Sequence, residues 1–239
     1  FQEKNMGTVI YQAIDITAGY GRKVVFGNLS LDMIKGSCTF IVGANGCGKS
    51  TLFSVLAGIK KMRSGQLLLD GEKAAVKQLQ KQIGYVPQDN PLFSELTVWD
   101  NLLLWYGGKK AVQKEMDGGV IEKLGLRDIL KKRVGTLSGG MQRRACIGCA
   151  MAGNPRILIM DEPGAALDVV CKEEIRQYLA DYLKQGGTAL MTSHEERELS
   201  LCDRLLLMSG GRLKQIPADT PARELAAMIV AGRTVAELN

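Results

Sequence analysis

GANGCGKST, residues 43–51, stands between the apolar run CTFIV and the stretch LFSVLAG, which closes on Gly58. Gly43, Gly48, Lys49 and Ser50 match G-x-x-x-x-G-K-[ST] at every fixed position. The chemistry explains the spacing. Glycines let successive backbone N–H groups turn inward around phosphate oxygens, and a helix that starts there adds its positive end. Lys49 is a point charge for the β and γ phosphates, and the Ser50 hydroxyl is a ligand for Mg²⁺. Ala44, Asn45, Gly46, Cys47 and Thr51 complete the candidate nucleotide-binding loop. A glycine-rich turn that merely contains a lysine is the plainer alternative. The strand signal before it and the helix signal after it weigh against that. The expected ligand is a nucleoside triphosphate. Cys47, among inward N–H groups at a helix start, is expected to be a reactive thiol of lowered pKa that the nucleotide shields.

Strand, glycine loop and helix in that order predict a parallel α/β core. QLLLD and QIGYVP read as further short strands, and RILIM and TALMTS as buried ones, with the helical stretch EEIRQYLADYLKQGG between the last two. Upstream, alternation in TVIYQAIDI and KVVFGNLSLDMI, broken by AGYG, predicts an antiparallel β-unit. Downstream, RLLLMSGGRLKQI reads as a hairpin turning on Gly-Gly. Thr220 as N-cap and Pro221 at the first helical position are expected to open a last helix. Between Gln88 and residue 150 strand signals vanish and helical spacing takes over. One domain over 7–239 is therefore expected. Residues 7–88 and 151–218 form the core with its β-unit, 89–150 a helical insertion and 219–239 a terminal helix.

Bulk properties set limits. The chain of 239 residues is 46% hydrophobic and 23% charged, ordinary for a soluble domain with one substantial core. Its net charge of +6 is scattered, Lys131-Lys132-Arg133 being the strongest run, so no nucleic-acid partner is expected. No apolar stretch reaches the length of a transmembrane helix, and no signal-peptide core opens the chain. The six cysteines read as reduced thiols of a cytoplasmic protein. Cys146 and Cys149 form a C-x-x-C, but a second pair is missing and the chain has one histidine. Packing on a helix rich in Ala and Gly is favoured over zinc or redox chemistry.

Whether the loop also cuts its ligand depends on a metal and a base. RILIMDEP, residues 156–163, is a buried strand that ends in two carboxylates. Beside a phosphate loop, Asp161 suits the hydrated Mg²⁺ and Glu162 the attacking water. Glutamate at the second position favours hydrolysis over binding alone.

LSGGMQ, residues 137–142, has no use in nucleotide enzymes generally. With 43–50, Gln88 after GYVP, Asp161-Glu162-Pro163, Leu167-Asp168 and Ser193-His194, it makes the chain resemble the ATP-binding-cassette (ABC) ATPases. The resemblance runs from about residue 8 to about 215, in the family's order and spacing. It implies a P-loop NTPase core of RecA type with an antiparallel β-subdomain and a helical subdomain, and ATP with Mg²⁺ as ligands. Tyr20 matches the aromatic that stacks on adenine. Ser50, Gln88 and Asp161 would attend the metal. Lys49, Gln88, Glu162 and His194 would form the catalytic set, with His194 as the γ-phosphate switch. Leu137, Ser138, Gly139, Gly140, Met141 and Gln142 would close the ATP of a second subunit, from a helix that starts near Gly140. Ala165, Leu167 and Asp168 would line the dimer interface. Three positions depart from the pattern: Ala165, after Gly164, stands where Ser or Asn is usual, Cys149 where an arginine is usual, and Ala44 where a proline is common.

The same resemblance implies a homodimer or pseudo-dimer of ATPase subunits, peripheral on the cytoplasmic face of a membrane and bound to a membrane-spanning permease on another chain. LFSELTVWDNLLLWYG and LSLCDRLLLM look most like the branch that exports drugs, peptides and cell-envelope polymers. Trp99, Leu102, Leu103 and Tyr106 fall on one helical face; core packing accounts for most of them, and exposed members would meet the partner. A soluble cassette protein that assembles or remodels a partner, as in iron–sulfur assembly, is the alternative.

Overall fold

The computed structural model describes residues 7–165, 167–193 and 196–237. In chain order its elements begin with β1 (Val9–Tyr20), β2 (Lys23–Ile34) and β3 (Cys38–Val42), then α1 (Lys49–Leu56), β4 (Ser64–Leu69) and β5 (Glu72–Lys73). Next come α2 (Val76–Gln82), β6 (Ile83–Val86), α3 (Val98–Tyr106), α4 (Lys109–Lys114) and α5 (Val120–Lys123), two 3₁₀ turns, and α6 (Gly139–Ala150). The remainder is β7 (Ile157–Asp161), α7 (Val169–Lys184), β8 (Thr188–Thr192), α8 (Glu196–Leu199), β9 (Arg204–Ser209), β10 (Arg212–Ile216) and α9 (Ala222–Glu237).

Two sheets result. The first is four-stranded in the order β2-β1-β4-β5, antiparallel throughout. The second is six-stranded, β10-β9-β3-β8-β7-β6, parallel except for the β9–β10 hairpin. Both faces of the second sheet are buried. Phe40, Val42, Leu158, Met160 and Met191 pack towards the helices of one core, and Ile41, Ile157, Ile159, Leu190 and Leu206 towards α1 and the antiparallel sheet. Burial on both sides is why these strands read as unbroken apolar runs. The hairpin turns on Gly210 and Gly211, at φ 54° and 72°, left-handed values that suit a two-residue turn.

Local chemistry sets the start of α3. Thr97 accepts from the Asp100 N–H, and the Asp100 carboxylate accepts from the Thr97 N–H, a reciprocal cap. Two short elements escape the sequence reading, and one expectation is corrected. The short β5 and α2, between QLLLD and QIGYVP, escaped notice because only Leu79 of α2 is buried and no apolar stripe marks the helix. The helix after LSGG begins at Gly139, near Gly140 as expected. Thr220 does not cap α9. Its hydroxyl donates to the Pro217 carbonyl, while the Pro221 carbonyl accepts from Leu225, so Pro221 lies outside the helix and Ala222 opens it. As expected, the apolar face of α3 is core: Leu102 is fully buried, with Trp99, Leu103 and Tyr106 packed beside it. The exposed apolar side chains nearby are Phe93, Leu96, Leu104 and Trp105, off that face.

Candidate nucleotide site

The glycine loop leaves the end of β3 and enters α1, and its conformation needs its glycines. Gly48 has φ 112°, and a Cβ there would lie 2.7 Å from Val25. A Cβ on Gly43 would lie 2.4 Å from the Met208 carbonyl oxygen. The N-cap of α1 is Gly48 itself, with no side-chain cap on the first-turn N–H groups, which leaves them for an anion. Lys49 is buried, and its ammonium donates to the carbonyls of Gly43 (2.7 Å) and Ala44 (3.1 Å), so it braces the loop it serves.

A cleft of about 540 Å³ opens over this loop. Asn45, Gly46, Gly48, Lys49, Ser50 and Thr51 of the loop line it, together with Tyr20, Lys23, Val25, Gln88 and Glu162. Tyr20 is 59% exposed at the end of β1, its hydroxyl 3.4 Å from that of Thr51. The fold thus brings an aromatic ring, a phosphate loop, a carboxamide and a carboxylate from four separate parts of the chain to one opening.

The carboxylates sit where β7 ends, and β8 separates that strand from β3. Asp161 is 2% exposed. Its Oδ1 accepts from the Thr192 hydroxyl at 2.7 Å, and its Oδ2 has no hydrogen-bond partner. An unpartnered buried carboxylate oxygen beside a phosphate loop fits a hard cation. A single carboxylate, a serine hydroxyl and phosphate oxygens are the donors Mg²⁺ takes. Among the described residues no cluster of three His, Cys, Asp or Glu offers a soft-metal site. Glu162 has φ 48°, a left-handed value that costs a non-glycine residue energy and points to a constrained site. Its N–H donates to the Thr192 hydroxyl (2.8 Å), and its carboxylate accepts from the Gln88 amide (3.2 Å).

Two residues of this network were missed from the sequence. Thr192 holds Asp161 and Glu162 together, and no spacing rule marks a threonine at a strand end. Arg143, 7% exposed on α6, donates to the carbonyls of Pro87, Gln88, Asp161 and Pro163. It ties the segment bearing Gln88 to the segment bearing Glu162. An arginine three residues from both Gly140 and Cys146, on the buried side of α6, was the available signal.

Other candidates lie elsewhere. Ser138 and Gly139 are exposed, Leu137 and Gly140 buried, and Met141 and Gln142 partly so. None of the six lines the cleft. Ser138 caps α6 by accepting from the Met141 N–H at 3.3 Å, and Gln142 donates to Val134 and Leu137 while accepting from Asn90. Asp168 caps α7 through the Cys171 N–H, a contact that holds its carboxyl below the usual range. Ala165 is exposed and Leu167 partly buried. Gly140 and Cys171 touch closely, since a Cβ on Gly140 would lie 2.4 Å from the Cys171 sulfur. His194 lies outside the described residues. Cys47 corrects an expectation: burial pushes its thiol up, outweighing the Lys49 ammonium and the loop N–H groups that pull it down. Cys146 and Cys149 are buried free thiols, also pushed up by burial, as packing residues should be.

Residues 26–165 match the family model described as ABC transporter. The chain belongs to the ABC transporter family. It is 35% identical to the linearmycin resistance ATP-binding protein LnrL of Bacillus subtilis (strain 168), over 87% of this chain and 69% of that protein. It is 36% identical to the Fe(3+) ions import ATP-binding protein FbpC of Mesorhizobium japonicum, over 82% of this chain but only 57% of that one. A solved structure titled as the ATP binding subunit of an ABC transporter shares the fold, with a TM-score of 0.81, 22% identity, and coverage of 92% of this chain and 99% of that one. The chain is thus an ATP-binding domain of the ABC ATPase class. No described helix is long and apolar enough to cross a membrane.

Proposed function

We propose that this chain binds and hydrolyses MgATP as the ATP-binding subunit of a transporter whose membrane-spanning part is another chain. The observation that carries the ATPase is the cleft that joins the glycine loop to Gln88 and Glu162, with the unpartnered Oδ2 of Asp161 on the residue before Glu162. Ser50, Asp161 and Gln88 would hold Mg²⁺, which would supply charge neutralisation at the phosphates. Lys49 and the α1 N–H groups hold the phosphate oxygens, and Tyr20 stacks on adenine. Glu162 orders the attacking water and takes its proton, while the Gln88 amide holds the Glu162 carboxylate in place. His194 would contact the γ-phosphate.

Leu137–Gln142 lie away from their own chain's cleft, which supports a site closed by the signature turn of a second subunit, with Ala165, Leu167 and Asp168 beside it. Phe93, Leu96, Leu104 and Trp105 offer exposed apolar surface next to the segment bearing Gln88, suited to a helix of the membrane partner. Export is the preferred direction, on the likeness of LFSELTVWDNLLLWYG to exporter subunits. Import is the second reading, favoured by the likeness to FbpC.

Affinity purification from detergent-solubilised membranes tests the assignment. A membrane-spanning chain should be retained and MgATP hydrolysis should rise with it, and the nature of that chain decides the direction. Recovery wholly in the soluble fraction, with no such chain, would make the protein an assembly or remodelling ATPase.

A further inference from the structure

We propose that Lys60 is a positioning residue that braces Tyr20 for stacking on the base, an inference that rests on Tyr20 being the adenine platform. The Lys60 ammonium lies 3.6 Å from the centroid of the Tyr20 ring. Tyr20 and Thr51 line the cleft and Lys60 does not, and the brace requires the cation to hold the ring face opposite the one that meets the base. The brace has something to hold. Tyr20 is 59% exposed at the end of β1, and its hydroxyl reaches Thr51 only at 3.4 Å.

Lys60 is itself anchored to the phosphate-binding helix. The N–H groups of Ile59 and Lys60 both donate to the Ser54 carbonyl, and the Ser54 hydroxyl reaches the carbonyls of Ser50 and Thr51. Three residues on, the Arg63 guanidinium donates to the carbonyls of Gly21 (2.8 Å) and Lys23 (3.1 Å), and its N–H to Thr17 (2.7 Å). The segment that follows α1 therefore supplies two cations to the β1–β2 turn, one under the ring and one on the backbone. The base end of the cleft is referenced to the same helix as the phosphate end.

The physics sets direction and size. A cation is drawn to the electron-rich face of a tyrosine and fixes the ring plane. A ring already fixed loses less freedom when a purine stacks on its other face. Lys60→Met keeps most of the length of the side chain and removes the charge. It should weaken a non-hydrolysable MgATP analogue about two- to fivefold. Stacking reads ring area, so the GTP analogue should lose as much. Magnesium tripolyphosphate, which has no base, should bind as before, and Lys60→Arg should restore the wild-type affinity.

Equilibrium titration of these three ligands against wild type, K60M, K60R, Y20A and the double variant is the test. In the Y20A background K60M should change nothing further. Equal weakening of tripolyphosphate would show a general electrostatic role and overturn the brace. So would unchanged nucleotide affinity in K60M while Y20A weakens it. Unchanged affinity in Y20A would overturn the platform itself and the brace with it.

Discussion

At Glu162 the backbone and the side chain are each held by a different strand. The N–H is held by Thr192 from β8, and the carboxylate by Gln88 beyond β6. Glu162→Gln preserves the shape and removes the base, so steady-state phosphate release should fall on the order of 10²–10⁴-fold with nucleotide binding retained. Tyr20→Ala should do the reverse. It should weaken binding about five- to tenfold with turnover at saturating ATP little changed, as a titration and a saturation curve would show. Cys47 offers a pH test. With its thiol raised by burial, its thiolate is scarce at pH 7 and increases as pH climbs towards that raised value. Site-resolved maleimide labelling should therefore be slower than that of a free small-molecule thiol at pH 7, rise about tenfold per pH unit below the thiol pKa, and slow again with MgATP. A rate at pH 7 matching the free thiol would show that burial does not govern it.

At the scale of elements, the catalytic residues are held less by their own loops than by one buried arginine on a neighbouring helix. Arg143 of α6 joins Pro87 and Gln88 to Asp161 and Pro163, four carbonyls on two segments far apart in sequence. Arg143→Met keeps much of the bulk and leaves those carbonyls short of donors. It should cost about 3 kcal/mol by chemical denaturation and lower turnover more than nucleotide affinity. Equal stability would mean that water replaces the guanidinium. The sequence shows LSGG and DEP clearly and this link poorly, because a hydrogen bond to a backbone carbonyl leaves no pattern in residue types. Thr192 was hidden in a similar way, since its hydroxyl joins the Asp161 carboxylate to the Glu162 N–H and no residue spacing records either contact. The helix α2 escaped for another reason: its single buried residue makes no periodic stripe.

For the whole molecule, the cleft of one chain holds the phosphate loop, the aromatic ring and the base, yet not the turn at Leu137–Gln142. If a second copy closes it, ATP is held between subunits, and Glu162→Gln with MgATP should accumulate as a dimer in light scattering. Adding Ser138→Arg should return it to monomer, by setting a bulky cation where a small hydroxyl must approach. A Glu162→Gln protein that stays monomeric at saturating MgATP, with its membrane partner present, would falsify the two-subunit site.

Residue types and spacing alone determined the phosphate loop, the paired carboxylates, the parallel core and the hairpin at Gly210-Gly211. Each depends on local geometry: a glycine conformation, a strand end, a run of apolar side chains or a tight turn. Tertiary structure decided what depends on distance through space. It set Tyr20 and Gln88 in one cleft with the loop, and buried Asp161 with one oxygen unpartnered. It also turned the apolar face of α3 inward and left Phe93, Leu96, Leu104 and Trp105 outside. Cys47 makes the difference plain. Its neighbours in sequence, loop N–H groups and Lys49, favour the thiolate, but the packing around it removes water from the sulfur, and that desolvation outweighs them.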